Sequence, residues 1–412
     1  MAEPSHSGPA LSRRAVVSAA AVAYAVPPRP AAAQTARALP FPGLTPSVAF
    51  ATPERSSGAL PMRLDGMSHL RVTAYVNGAR VSAILDTGAA RAIIDRGFAA
   101  RMGIPLRPGF RAAGITDNAQ GELAEDVSVT LGSMALNHLT PGVLDLARIS
   151  ADLGDPAAIV IGRDLFHRVV ADFDFAGGMV SFHDADASNL AGKHTISLGQ
   201  TPRGTPHVPV SIEGAPEIEA GLDIGYNGSL LVSPDYARQL GLDRGRPLTT
   251  VASVGVEGVS VNQMATVKHL TLAGATLAGA PAEIPARWNR SVPAIIGLDV
   301  IKKFRMLTDY THNRIGLFAA PEALTAPLPK DRSGIGAIPT REGLNVIHVA
   351  PGSPAERCGL HAGDRIVAID DQRADLDYVR AHPRLGSRPA GSVFHLQLSD
   401  GRSATLKLAD YF

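Results

Sequence analysis

Val81-Ser82-Ala83-Ile84-Leu85-Asp86-Thr87-Gly88-Ala89 is the stretch that decides the fold. A largely apolar strand runs into Asp-Thr-Gly, three turn-forming residues. Taken alone, it reads as an ordinary strand-to-turn corner. A degenerate copy changes that reading: Ala220-Gly221-Leu222 leads into Asp223-Ile224-Gly225. Two similar loops, each carrying a carboxylate at a strand end, suit the activation of water between facing carboxyl groups. Like charges that close cannot both ionise, so such a pair holds one shared proton. One carboxylate takes a proton from the water while its protonated partner donates to a carbonyl.

The flanks repeat with the motif. Asn77-Gly78 and Glu213-Gly214 precede the two copies as hairpin turns. Phe98 to Ile104 is echoed by Tyr236 to Leu242, and Ile159-Val160-Ile161-Gly162 by Ala294-Ile295-Ile296-Gly297. Asp172-Phe173 with Phe182 is echoed by Asp309-Tyr310 with Phe318. Landmarks recur at spacings of 137 (86 to 223), 138 (103 to 241), 135 (162 to 297) and 137 residues (172 to 309). A nearly constant offset means a duplicated lobe.

Over about residues 62 to 320 the chain resembles the pepsin/retropepsin-like aspartic proteases, in the bacterial form with two retropepsin-like lobes in one chain. The carriers are Asp86-Thr87-Gly88-Ala89, Asp223-Ile224-Gly225 and the apolar-Gly segments Ile161-Gly162 and Ile296-Gly297. The resemblance implies that Asp86 and Asp223 form a catalytic pair at a pseudo-twofold axis. It implies that Thr87, Gly88, Gly225, Gly162 and Gly297 shape the loops, with Gly where backbones approach closely. The Thr87 hydroxyl would brace the opposite loop. Ile224 departs from the pattern, because it has no hydroxyl where the family carries a second Thr or Ser. That departure keeps open a pseudoprotease that binds peptide without turnover, and a site completed by a second chain.

Period-two alternation marks strands at Leu70 to Val76 and Val127 to Leu131. Short helices are predicted around 95–102 and 234–240, stopped by Gly103 and Gly241. Between helix and apolar-Gly strand lies Gly114-Ile115-Thr116-Asp117-Asn118-Ala119-Gln120-Gly121, with Val254 to Gly258 as its counterpart. In the related family a mobile hairpin at this place folds over the substrate. Gly114, Ile115, Thr116 and Gly121 are therefore candidate flap residues, and the alternative is an ordinary surface hairpin. Asp172, Asp174 and Asp309 sit at closing-strand edges and read as structural.

A third unit follows an Ala/Pro-rich stretch. Leu344 to Val349 is a strand; Ser353 to Gly359 is a short helix with Ser353 as N-cap and Pro354 at its first position. Asp364 to Asp370 holds a second strand, and Asp400-Gly401 turns a closing hairpin. This run resembles a bacterial-type PDZ domain. The resemblance implies that Gly334-Ile335-Gly336-Ala337 captures a peptide carboxylate and that the next strand pairs with an extended peptide, with Pro339 removing one donor. The alternative is a PDZ unit that only packs on the catalytic lobes.

Composition agrees with a globular, β-rich chain: 412 residues, 45% hydrophobic, with 41 Gly and 31 Pro. A net charge of +1 with no basic stripe argues against nucleic acid as a partner. The lone Cys358 rules out an internal disulfide, and the 13 His residues show no ligand spacing. No metal or cofactor is expected. Ser12-Arg13-Arg14 before the apolar run Ala15 to Val26 resembles a twin-arginine export signal, with small residues at Ala31 to Ala33 or Ala36 to Ala38 for cleavage. The run is too short to span a bilayer in the mature chain.

The expected architecture is mostly β. A signal segment (1–38) and linker (39–61) precede duplicated acid-protease lobes (62–186 and 187–320). A second linker (321–332) leads to a PDZ domain (333–412), β-rich with two short helices. The expected activity is periplasmic or secreted hydrolysis of polypeptides, with peptide C-termini as partners of the PDZ unit.

Overall fold

The structure, a computed structural model, describes residues 45–412 apart from 66–67, 112–119, 147–155, 187–195, 201–205, 256–257, 320 and 383. The expected signal segment and three of the flap residues, Gly114, Ile115 and Thr116, lie outside the described residues.

The two turns named from sequence build the two lobes. Asn77 and Gly78 both take left-handed backbone (φ 46° and 82°), as do Glu213 and Gly214 (56° and 72°). A two-residue turn with this twist folds its flanking strands back on each other. Leu70–Val76 thus pairs antiparallel with Ala79–Leu85, and Pro206–Ile212 with Ile218–Asp223. In each lobe the second strand then pairs parallel with the apolar-Gly strand. Leu85 lies beside Ile161, and Leu222 beside Ile296. The apolar-Gly strand runs antiparallel to the strand after the Asp loop, Ile93–Asp95 in one lobe and Leu230–Val232 in the other. Both of those strands pair parallel with a further strand, Gly142–Leu144 and Ala275–Ile284. The lobes therefore repeat in topology as well as in sequence.

Helix ends follow side-chain chemistry. Phe98 N donates to Asp95 Oδ2 (2.7 Å), capping Arg96–Arg101, and Tyr236 N donates to Ser233 Oγ (3.2 Å), capping Pro234–Gln239. Such caps contribute about 1 kcal/mol each.

The lobes join through a sheet with two strands from each. Val169–Asp174 pairs antiparallel with Arg305–Asp309, flanked by Met179–Asp184 and Arg314–Phe318. Val170 faces Asp309, and the residues one repeat away, Leu307 and Asp172, also face each other. A twofold operation must produce that register, so the pseudo-axis runs through this strand pair. One continuous core lies under both lobes, including Phe166, Phe173, Phe182, Leu222 and Ile224. Burying each such side chain stabilises by about 1.5–3 kcal/mol. Asp172 is held by Arg305 (2.8 and 2.7 Å) across the lobe junction, and Asp309 by Arg314 (2.7 Å) and His312. Both carboxylates are structural, as the sequence suggested.

Two stretches read as linkers are in fact folded. Ser47–Phe50, within 39–61, adds a strand to the first lobe by pairing with Met134–Leu139. Pro321–Thr325, within 321–332, is a helix packed beside Ala275–Ile284, and Leu328 enters the main core. Pro and Ser content hid short apolar patterns: Val48 and Phe50 in one, Leu324 and Leu328 in the other.

The third unit is a five-stranded antiparallel path, Ile335–Thr340, Gly343–Val349, Arg365–Ile369, Val393–Leu398 and Ser403–Lys407, with a short strand Gln372–Arg373 beside the third. Pro354–Arg357 and Leu376–Ala381 are its two α-helices. Its own core holds Val346, Leu360, Ile366, Phe394, Leu396 and Leu406. The expected mostly β architecture is present.

Candidate active site

The topology brings the two Asp loops together at the axis. Asp86 follows a strand pinned by its parallel neighbour, and its own N–H donates to Ile161 O (3.0 Å). The loops then pass directly over the apolar-Gly strands. A side chain at Gly162 would meet Ala89 O at 2.7 Å, and one at Gly297 would meet Gly228 O at 2.2 Å. Only Gly admits these crossings.

Asp86 and Asp223 are 2% and 3% exposed, and their carboxyl groups lie close enough to interact, each against the other loop's glycine. Each is also held by its own loop. Gly88 N and Ala89 N donate to Asp86 Oδ1 (2.8 and 3.0 Å); Gly225 N and Tyr226 N donate to Asp223 Oδ1 (2.8 and 3.2 Å). The loops interlock closely. A Cβ on Gly88 would lie 2.5 Å from Asp223 Oδ2, and one on Gly225 would lie 2.4 Å from Asp86 Cγ.

Electrostatics separates the two groups. Burial, then the charge of Asp223, holds the Asp86 carboxyl well above the usual carboxylate range. Burial also raises Asp223, but the Arg290 guanidinium opposes it and favours the ionised form. The pair thus retains one proton after an isolated carboxyl would have lost it.

Thr87 supplies the expected brace. Its hydroxyl donates to Leu222 O (3.3 Å) and accepts from Ile224 N (3.1 Å), crossing from one loop to the other. Ile224 is buried in the core shared by both lobes. The carboxyl groups still meet, so Ile224 does not part them. The buried Tyr310, at the end of Arg305–Asp309, lies close enough to Thr87 and Asp223 to interact with both. Burial pushes that phenol above its usual range and keeps it protonated. Replacing Thr87 with Val should leave Ile224 N and Leu222 O without this partner. Thermal unfolding should show a loss of about 1–3 kcal/mol.

Several site residues were missed by sequence reasoning. Tyr226, next to Gly225, donates its hydroxyl to Glu283 Oε2 (3.0 Å), and Glu283 Oε1 accepts from Ser253 Oγ (2.5 Å) and Asn262 Nδ2 (2.6 Å). This buried network ties the second loop to the long hairpin of Thr249–Gly255 and Gly258–Leu272. Arg163 follows Gly162 and feels the charges of Asp86 and Asp223, although burial lowers its own proton affinity. The available signals were Tyr226 replacing the small Ala89 and Arg163 extending the apolar-Gly motif.

The strands on either side of the candidate flap, Leu106–Arg111 and Gln120–Ala124, pair antiparallel, with Gly121 opposite Phe110. In the PDZ unit the predicted carboxylate loop is partly occupied from within. Gly334 N donates to Asp331 Oδ2 (2.8 Å) and Ile335 N to Ser333 Oγ (3.1 Å). Gly336 and Ala337 lie on the edge strand, where a bulge interrupts the pairing between them. Among the described residues no His, Cys, Asp or Glu cluster has metal-binding geometry, and no helix is long and apolar enough to cross a membrane.

Two interlocked Asp-x-Gly loops, with one cross-loop Thr brace, give this mostly β fold an aspartic protease-like region. Residues 72–165, which contain Asp86, Thr87 and Gly162, match the aspartyl protease family model, and residues 346–381 match that of the PDZ domain. Among solved structures, a retropepsin-like aspartic protease from Rickettsia conorii matches at 15% identity and a TM-score of 0.26, covering 31% of this chain and 92% of that one. No curated protein matches.

Proposed function

We propose that the chain is an exported aspartic endopeptidase that hydrolyses extended polypeptides with a water activated by Asp86 and Asp223. The observation that carries the reading is the buried pair of closely placed carboxyl groups. Asp223, favoured as the ionised partner by Arg290, takes a proton from the water, and protonated Asp86 donates to the scissile carbonyl. Water attacks the carbonyl carbon. Asp223 then passes the proton it took from water to the amide nitrogen, Asp86 recovers a proton from the tetrahedral diol, and the C–N bond breaks to leave a new carboxyl terminus and a new amine. The close approach of the two carboxyl groups despite Ile224 favours this reading over a peptide-binding pseudoprotease. Export rests on Arg13-Arg14 and the apolar run behind them. The PDZ edge strand Ile335–Thr340 is suited to recruiting peptide tails by strand addition.

The test is incubation of residues 39–412 with an unfolded protein, beside Asp86→Asn and Asp223→Asn. Fragments made by the unaltered chain and lost in both variants support the reading. Fragments that persist in either variant overturn it.

Arg290 offers a pH test of the assigned roles. Its charge lowers the proton affinity of Asp223, so Arg290→Ala should raise it. The acid limb of the kcat/KM profile should move to higher pH, because Asp223 must lose its proton to act as base.

A further inference from the structure

We propose that Arg384, contributed by the PDZ domain, is a positioning residue that clamps the second catalytic loop and ties it to the first lobe. The proposal builds on the two-carboxylate site described above. The Arg384 guanidinium makes three contacts outside its own domain. It donates to Ser68 Oγ in the first lobe (2.9 Å), to Asn227 O in the second catalytic loop and to the buried Asp299 carboxylate. A planar fork with several fixed donors can hold such partners at once, whereas a lysine ammonium acts as a point charge.

These contacts fall where the second lobe departs from the first. Asp164 and Asp299 are repeat-equivalent residues, each following an apolar-Gly strand. In the first lobe the brace is internal: Asp164 Oδ2 accepts from Ala92 N (2.5 Å), and Arg168 Nη1 donates to Asp164 O (2.7 Å). In the second lobe the Asp299 carboxylate faces Arg384 and Lys302 instead. Lys302 Nζ lies 2.7 Å away as an ion pair, outside hydrogen-bond alignment. Leu298 N donates to Tyr226 O (2.8 Å) and Asp299 N to Gly228 O (3.2 Å), so a force on Asp299 or Asn227 reaches the loop carrying Asp223. This is also the loop in which Ile224 cannot supply a hydroxyl brace. The site thus takes from the PDZ domain an anchor that its own sequence lacks.

Two further observations agree. Arg384 adopts left-handed backbone (φ 55°), an unfavourable conformation for a residue with a side chain, which persists where surrounding contacts fix it. The PDZ domain is also docked on the second lobe's hairpin. Thr250 Oγ1 and His348 Nε2 lie 2.9 Å apart, and a Cβ on Gly336 would sit 3.0 Å from Ala252 Cβ. Ser253 on the same strand reaches Tyr226 through Glu283.

The test compares the full chain with Arg384→Ala, Arg384→Lys and the surface control Val393→Ser. Steady-state cleavage of one peptide is read together with hydrogen exchange over residues 222–229. In Arg384→Ala, kcat should fall about tenfold to a hundredfold while KM changes by less than about twofold. Exchange protection of the loop should fall about tenfold while the protease core keeps its protection. Arg384→Lys should recover only part of both effects, and Val393→Ser should match the unaltered chain. Unchanged kcat and unchanged loop exchange in Arg384→Ala would overturn the proposal, as would full rescue by lysine. If the unaltered chain shows no turnover, the proposed activity falls, and loop exchange alone decides on Arg384.

Discussion

Asp86→Asn should cut turnover about a thousandfold and yet melt at a higher temperature than the unaltered chain at pH 7. The two effects share one cause. Asp86 is buried against Asp223, and its proton affinity is held well above the usual carboxylate range. A folded-state pKa above the unfolded one contributes stability that is complete below the unfolded value, near 3.8. That stability is lost as pH rises through the folded value. Asn imitates the protonated form at every pH. Its Oδ1 can still accept from Gly88 N and Ala89 N, and its amide can donate to Asp223. The variant therefore keeps at pH 7 the stability that wild type gives up. It has also lost the acid that protonates the carbonyl, a loss on the order of 10³-fold in kcat. Calorimetry from pH 3 to 8 should show the two melting curves converging at acid pH and separating above it. A variant less stable than wild type at pH 7 would contradict the burial argument.

Gly225→Ala should force the two catalytic loops apart. Its Cβ would lie 2.4 Å from Asp86 Cγ, below any ordinary carbon contact. Asp86 cannot swing aside, because two amides hold one of its oxygens and Asp223 the other side. The loops must part, and the Thr87 contacts to Leu222 and Ile224 part with them. Overpacking of this kind costs about 1–3 kcal/mol. Displacing one carboxylate from the other should cost about 10²-fold in turnover. Gly214→Ala is the control. Its Cβ meets nothing within 4 Å, but φ is +72°, so it should lose about 1–2 kcal/mol of stability and keep its turnover. Comparable kcat values for the two variants would argue against interlocked loops.

Much of this site could be read from the chain because its parts lie in short local patterns. Two Asp-x-Gly turns, two hairpin turns and two apolar-Gly strands recur at nearly one spacing, and duplication placed them around an axis. Thr87 was legible for the same reason. The residues that escaped reach the site from far along the chain, and the repeat that contains Tyr310 gives no sign of its contact. Tyr310 reaches Thr87 from the interlobe sheet, Glu283 reaches Tyr226 from a strand edge, and Arg290 acts on Asp223 from a loop. Arg384 is the extreme case, 157 residues from Asn227. Composition also misled, because Pro- and Ser-rich segments concealed the strand Ser47–Phe50 and the helix Pro321–Thr325. Asp331 as an internal partner of Gly334 N had no signature in the Gly-Ile-Gly-Ala motif.

The pH profile of kcat/KM for cleavage of one unfolded polypeptide by residues 39–412 tests the central claim most directly. The account predicts a bell, with turnover wherever the pair carries one proton and a basic limb displaced above the range of an isolated carboxyl group. No cleavage at any pH from 3 to 8 would contradict it and leave a protein that binds peptide without cutting it.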